Sequence, residues 1–138
     1  LAFIGGKIMD EEIRPPDREP ALRTLAMPGD ANPNGDIFGG WVLAQMDLAG
    51  AVPAVKRARG RVATVAIDAM RFHRPIFVGD LVSCYATILA EGATSMQVRV
   101  ETWVERSAGD EIMKVTEGMF VYVAIDADGG KRPLPVRE

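Results

Sequence analysis

The chain has 138 residues, 48% hydrophobic and 25% charged, with a formal net charge of −3 and a pI near 5.2. That is the size of one domain able to bury a single core without disulfide or metal staples, and the acidic balance excludes the basic groove of a nucleic-acid binder. A lone cysteine, Cys84 in the run LVSCYATI, excludes an internal disulfide and reads as a buried strand position in a reducing, cytoplasmic setting.

No apolar run reaches the roughly 18 residues of a membrane span. The opening LAFIGGKIMDEE lacks the basic start and cleavage pattern of a secretory signal and reads as a flexible lead-in. Residues 9–20 (MDEEIRPPDREP) are charged and proline-rich, which disfavours helix and sheet. The expected division is therefore a flexible N-terminal arm over residues 1–20 and one domain over residues 21–138.

Residues 21–27 (ALRTLAM) read as a first short strand that Pro28, Gly29 and Asp30 end. A polar loop with Pro33 and the pair Asn34-Gly35 follows. Helix is expected over residues 41–55, where Gln45 and Asp47 are the only polar side chains. A helix apolar on nearly all faces is a buried one, so the Asp47 carboxylate stands where burial is costly. Lys56, Arg57 and Arg59 suit the C-terminal dipole, and Gly60 supplies the stop. Pro53 is expected to kink the last turn or to end the helix near Val52.

Beyond Gly60 the periodicity changes to four β-rich segments, residues 61–72, 80–90, 95–105 and 111–125, separated by turn signals. In the third, Val98, Val100, Thr102 and Val104 alternate with Gln97, Arg99, Glu101 and Trp103, which predicts one buried face. Short connections favour antiparallel pairing. One strand, one long helix and four further strands describe an α+β domain whose sheet covers the helix.

With His73 as the only histidine, no histidine-cysteine zinc set or paired-histidine metalloprotease motif is available. His73, in RFHRPIF, reads as a strand-end residue, and residues 126–130 (DADGG) as a turn. What remains is the Gly39-Gly40 junction and Asp47. A helix N-terminus offers free N–H groups and the positive end of the dipole, which stabilise a carbonyl oxygen that becomes negative, and glycine lets a substrate approach closely. Asp47 lies about 10–12 Å further along the axis. It reaches the same carbonyl only if an extended substrate lies across the helix or if a second subunit supplies one of the two groups. In the alternative reading, Asp47 pairs with a buried arginine or caps a neighbouring backbone.

The stretch LRTLAMPGDANPNGDIFGGWVLAQMDLAGAV, followed by GRVATVAIDAMRFHRPIFVGDLVSCYATI, closely resembles the hotdog-fold acyl-CoA thioesterases of the YciA and brain acyl-CoA hydrolase type. The resemblance runs from about Leu22 to the C-terminus. It implies a long central helix wrapped by an antiparallel sheet of five or so strands, and hydrolysis of fatty acyl-CoA to free acid and CoA. It also implies a homo-oligomer whose minimal unit is a dimer joined sheet edge to sheet edge, with three dimers assembling into a hexamer. Carried over by position, Asp47 becomes the general base or nucleophile. Asn32 faces the Asp47 of the partner subunit, and Gly40, with Gly39 beside it, donates the backbone N–H to the thioester oxygen. Arg74, Thr94, Ser95 and Arg132 are expected to contact CoA. No metal or cofactor is implied beyond the CoA carried by substrate and product, because a thiolate is already a competent leaving group. Two other classes compete: a non-catalytic acyl-CoA-binding module, which would keep the glycines without needing Asp47, and a hotdog hydratase or dehydratase, which relies on a histidine with a carboxylate.

Overall fold

A computed structural model describes residues 14–137; the lead-in ahead of them lies outside the described residues. The elements run β1 (Leu22–Leu25), a 3-10 turn (Pro28–Asp30), α1 (Gly39–Ala58), β2 (Val62–Phe72), β3 (Leu81–Glu91), β4 (Ser95–Arg106) and β5 (Glu111–Ala124). The strands form one antiparallel sheet in the order β1-β3-β4-β5-β2, which curls around α1. This is the hotdog fold, with the expected strand count and pairing. Two edges result, a four-residue one at β1 and an eleven-residue one at β2. No helix among the described residues is long and apolar enough to cross a membrane.

One stripe of α1 makes the core. Val42, Met46, Ala49, Gly50, Ala54 and Ala58 lie on one face of the helix and are buried. They face Val82, Cys84, Val98, Val100, Val104, Phe120 and Tyr122 of the sheet. Each valine so buried contributes about 1.5–3 kcal/mol, and the alanines and glycine let the helix sit close to the strands. Cys84 occupies its expected interior place; burial pushes its thiol up to about 11 despite a hydrogen bond with Thr102.

Several expectations need correction. The helix is not buried on all faces: Leu48, Val52 and Val55 form an exposed stripe of their own, 57%, 38% and 43% accessible. It also continues through Pro53 to Ala58. Ala54 and Ala58, beyond the proline, are both buried, so the helix keeps its core stripe past Pro53. Arg59, rather than Gly60, takes the left-handed C-terminal conformation, with φ 54°. A Cβ at Gly60 would lie 2.8 Å from Arg132 Nη2, the far end of a flexible side chain. In β4 the predicted face is buried, yet Trp103 on the other face is buried too, and its indole N–H donates to Glu101 Oε1 at 3.0 Å. Nearby, the described part of the N-terminal arm is fastened to the outer side of β3, where Arg18 donates to Thr87 Oγ1 at 2.8 Å and lies over the Tyr85 ring.

Candidate active site

The loop before α1 is held from inside and outside. Asn32 Oδ1 accepts the N–H groups of Asn34 (2.9 Å) and Asp36 (3.1 Å), closing an Asx-type turn. Its carbonyl oxygen is thus committed, which leaves the amide Nδ2 as its group for recognition. From outside, the Ile37 N–H donates to the Ile76 carbonyl at 2.8 Å, and Asp36 bridges to Phe77. The segment carrying Ile76 and Phe77 is itself clamped. Asp80, only 2% exposed, accepts the Phe77 N–H and two hydrogen bonds from Arg106, whose guanidinium stacks on the Phe77 ring.

The helix then starts without a side-chain cap. Trp41 and Val42 donate to the carbonyl of Phe38, while the N–H groups of Gly39 and Gly40 find no acceptor among the described residues. A Cβ at Gly40 would meet nothing within 4 Å, so packing inside this chain does not require glycine there. A cleft of about 380 Å³ opens beside this start, lined by Asn32, Gly39, Val42, Phe72, His73 and Arg74 among others. Three of the expected site residues, Asn32, Gly39 and Arg74, therefore share one cavity. His73 borders it at the end of β2, with its backbone N–H bonded to Val115.

Asp47 is not among the residues lining that cleft. It points towards β2 and β5, where Thr64 Oγ1 donates to its Oδ1 at 2.7 Å. The Tyr122 hydroxyl lies 2.7 Å from the Asp47 carbonyl oxygen and 3.1 Å from Oδ1. Burial first, and then the adjacent carboxylate, push the Tyr122 hydroxyl far above its ordinary range, so it stays a protonated donor. Oδ2 accepts no hydrogen bond among the described residues. Asp47 is half-buried rather than buried; Thr64 and a share of the Tyr122 proton satisfy Oδ1, and among the described residues neither a buried arginine nor a backbone cap pairs with this carboxylate.

The remaining candidates stand elsewhere. Ser95 begins β4 and Thr94 precedes it, in the turn after Glu91, which accepts hydrogen bonds from Arg57 near the C-terminal end of α1, about 27 Å along the helix from Gly39. Arg132 is occupied at that same end, donating to the carbonyls of Ile125 (2.9 Å) and Arg61 (3.5 Å). Sequence reasoning missed Thr64 and Tyr122. The one available signal was a hydroxyl interrupting the apolar run VATVAI; its relation to Asp47 depends on pairing between distant strands.

Residues 34–109 match the model of the thioesterase superfamily. The acyl-CoA thioester hydrolase YciA of Salmonella typhimurium is 52% identical over 125 residues, covering 88% of this chain and 94% of the relative. Among solved structures, the hexameric thioesterase y2039 from Yersinia pestis superposes with a TM-score of 0.84 at 48% identity, covering 89% of this chain and all of that one. Cj0915, a hexameric hotdog fold thioesterase of Campylobacter jejuni, superposes with a TM-score of 0.81 at 43% identity, covering 86% and 91% of the two chains. The chain belongs to the hotdog-fold thioesterases, in the YciA-type family of acyl-CoA thioester hydrolases.

Proposed function

We propose that this acyl-CoA thioester hydrolase carries out its reaction in sites built jointly by two subunits. The observation behind this reading is the separation within one chain: Asn32 and Gly39 share a cleft that Asp47 does not line. A twofold axis running past β2 would set two α1 helices antiparallel, bringing the Gly40 end of one towards the partner's Asp47. The long edge of β2, with Val65 and Ile67 exposed beside the apolar helix stripe, is the kind of surface a second copy covers. The same axis would carry the partner's Thr94, Ser95 and Arg132 towards the cleft that holds Arg74, where CoA would lie. Three such dimers would make a hexamer, the assembly named for the Yersinia and Campylobacter relatives. The buried free thiol of Cys84 favours the reducing cytoplasm.

In this reading the thioester carbonyl oxygen lies against the N–H of Gly40, with Asn32 Nδ2 as a second donor. Asp47 Oδ2 removes a proton from water as the water oxygen attacks the carbonyl carbon. The carbonyl electrons move onto oxygen, where the helix N-terminus stabilises them. Collapse of the adduct breaks the C–S bond, and the departing CoA sulfur recovers the proton. In the alternative route Oδ2 attacks directly and water hydrolyses the resulting anhydride; both require the same placement of Asp47. The test is release of free CoA from acyl-CoAs of graded chain length by wild type and Asp47→Ala. Turnover by wild type with a fall of at least about a hundredfold in Asp47→Ala is expected. A wild type that binds acyl-CoA without hydrolysing it would instead support the binding-module reading.

A further inference from the structure

The geometry points to Tyr122 as a positioning residue: its hydroxyl, admitted to the helix through a notch at Gly50, holds the Asp47 carboxylate so that Oδ2 alone faces the reacting thioester. This inference rests on the reading of Asp47 as the reacting carboxylate.

Four features converge on it. Tyr122 stands directly opposite Thr64 in the β2–β5 ladder, so the two side chains share a face and approach Asp47 together. The register shifts immediately after Thr64, between Thr64 and Ala66, the kind of irregularity that re-aims a strand side chain. Tyr122 contacts Asp47 at two points, the backbone carbonyl and Oδ1, which limits movement of both the main chain and the carboxylate. Thr64 also donates to Oδ1. Rotation of the carboxylate would break the Thr64 bond and withdraw Oδ1 from the Tyr122 hydroxyl, whose single proton is shared between Oδ1 and the Asp47 carbonyl oxygen.

Gly50 supplies the remaining feature. Mid-helix glycine is destabilising relative to alanine, and this one is buried one turn after Asp47. A Cβ there would collide with the Tyr122 hydroxyl and lie 3.0 Å from two ring carbons. The glycine therefore gives the tyrosine access to the helix backbone. A buried phenol could find a carbonyl partner at many places in a sheet; this one is directed to the single carboxylate of α1.

The test is steady-state hydrolysis by Tyr122→Phe, using the acyl-CoA that wild type turns over fastest, across a pH series. Loss of the hydroxyl is expected to lower kcat by roughly ten- to a hundredfold, leave KM within about threefold, and move the acidic limb of the kcat profile to higher pH, because the ionised carboxylate has lost a donor. In an Asp47→Ala background, Tyr122→Phe is expected to change the residual rate no further. Gly50→Ala, which keeps the hydroxyl but denies it room, should reproduce the kcat loss and the shifted limb. An unchanged kcat in Tyr122→Phe overturns the inference. So does a fall in kcat with an unmoved limb, or an equal fall in the Asp47→Ala background, since either assigns Tyr122 a purely structural role. Failure of the parent reading looks different, because Asp47→Ala would then keep wild-type activity with Tyr122 intact.

Discussion

Thr64 and Tyr122 face each other across neighbouring strands, and both hydroxyls reach Asp47, which lies 17 residues before Thr64 and 75 before Tyr122 in the chain. The carboxylate of α1 is thus held by the sheet that wraps it, while its unbonded oxygen remains available. A catalytic acid or base held by such contacts needs less reorganisation when charge moves.

If each site draws on two chains, two defective proteins can restore one working site. Asn32→Ala and Asp47→Ala homo-oligomers are each expected to be inactive. After subunit exchange, mixed dimers should regain about a quarter of wild-type activity overall, since half the dimers are mixed and each holds one intact site. Exchange is followed by native mass spectrometry with one variant isotopically labelled. Verified exchange without any recovery would rule out the shared site.

Gly40 and Gly50 should respond to alanine in opposite ways. At Gly40 a Cβ meets nothing in this chain, so Gly40→Ala is expected to leave stability unchanged or raise it by up to about 1 kcal/mol. It should nonetheless lower kcat/KM by about tenfold or more, because the added methyl obstructs approach to the N–H groups. Gly50→Ala should destabilise, by about 1–3 kcal/mol, through overpacking against Tyr122. Thermal denaturation and initial rates measured on the same samples separate the two effects.

The Asp80–Arg106 pair supports the loop that carries Asn32, although neither residue lines the cleft. Asp80→Ala would strand a partly buried guanidinium and the Phe77 N–H. Breaking a fully buried pair costs about 3–5 kcal/mol; because the Arg106 side chain keeps 22% exposure, a loss of roughly 2–3 kcal/mol is expected here. Urea unfolding measures it. A double change to Asp80→Leu and Arg106→Leu should recover part of the stability, as it leaves no unpaired charge.

Glu91 gives the clearest pH effect on stability. Its carboxyl is held below the ordinary 4.5 chiefly by the hydrogen bond from Arg57, which burial opposes in part and Arg137 reinforces. A lowered folded-state value means stability that is fully present above the unfolded-state value and lost as pH falls through the folded one. Glu91→Gln should therefore be less stable than wild type at pH 7, by about 0.5–1 kcal/mol for a solvent-screened pair. The difference should shrink towards zero well below pH 4.5. Denaturant midpoints at the two pH values check it, and a difference that grows on acidification would contradict the sign.

The amino-acid sequence by itself determined the element order, the strand alternation, the long helix and the polar loop feeding it, because these follow from local periodicity and turn chemistry within a few residues. It also carried the family resemblance and marked Asp47 as an oddity, since one carboxylate in an apolar helix is visible without coordinates. Only the tertiary structure decided how that carboxylate is satisfied. Thr64 and Tyr122 become its neighbours through the β2–β5 register, and register is set by which faces of distant strands pack against the helix. The exposed stripe of Leu48, Val52 and Val55 was equally illegible, because a helix apolar all round looks the same whether its second face meets its own sheet or awaits another subunit. Trp103 and Pro53 misled for the same reason: local pattern and propensity weigh about a kilocalorie or a few per residue, and packing across the sheet outweighs them.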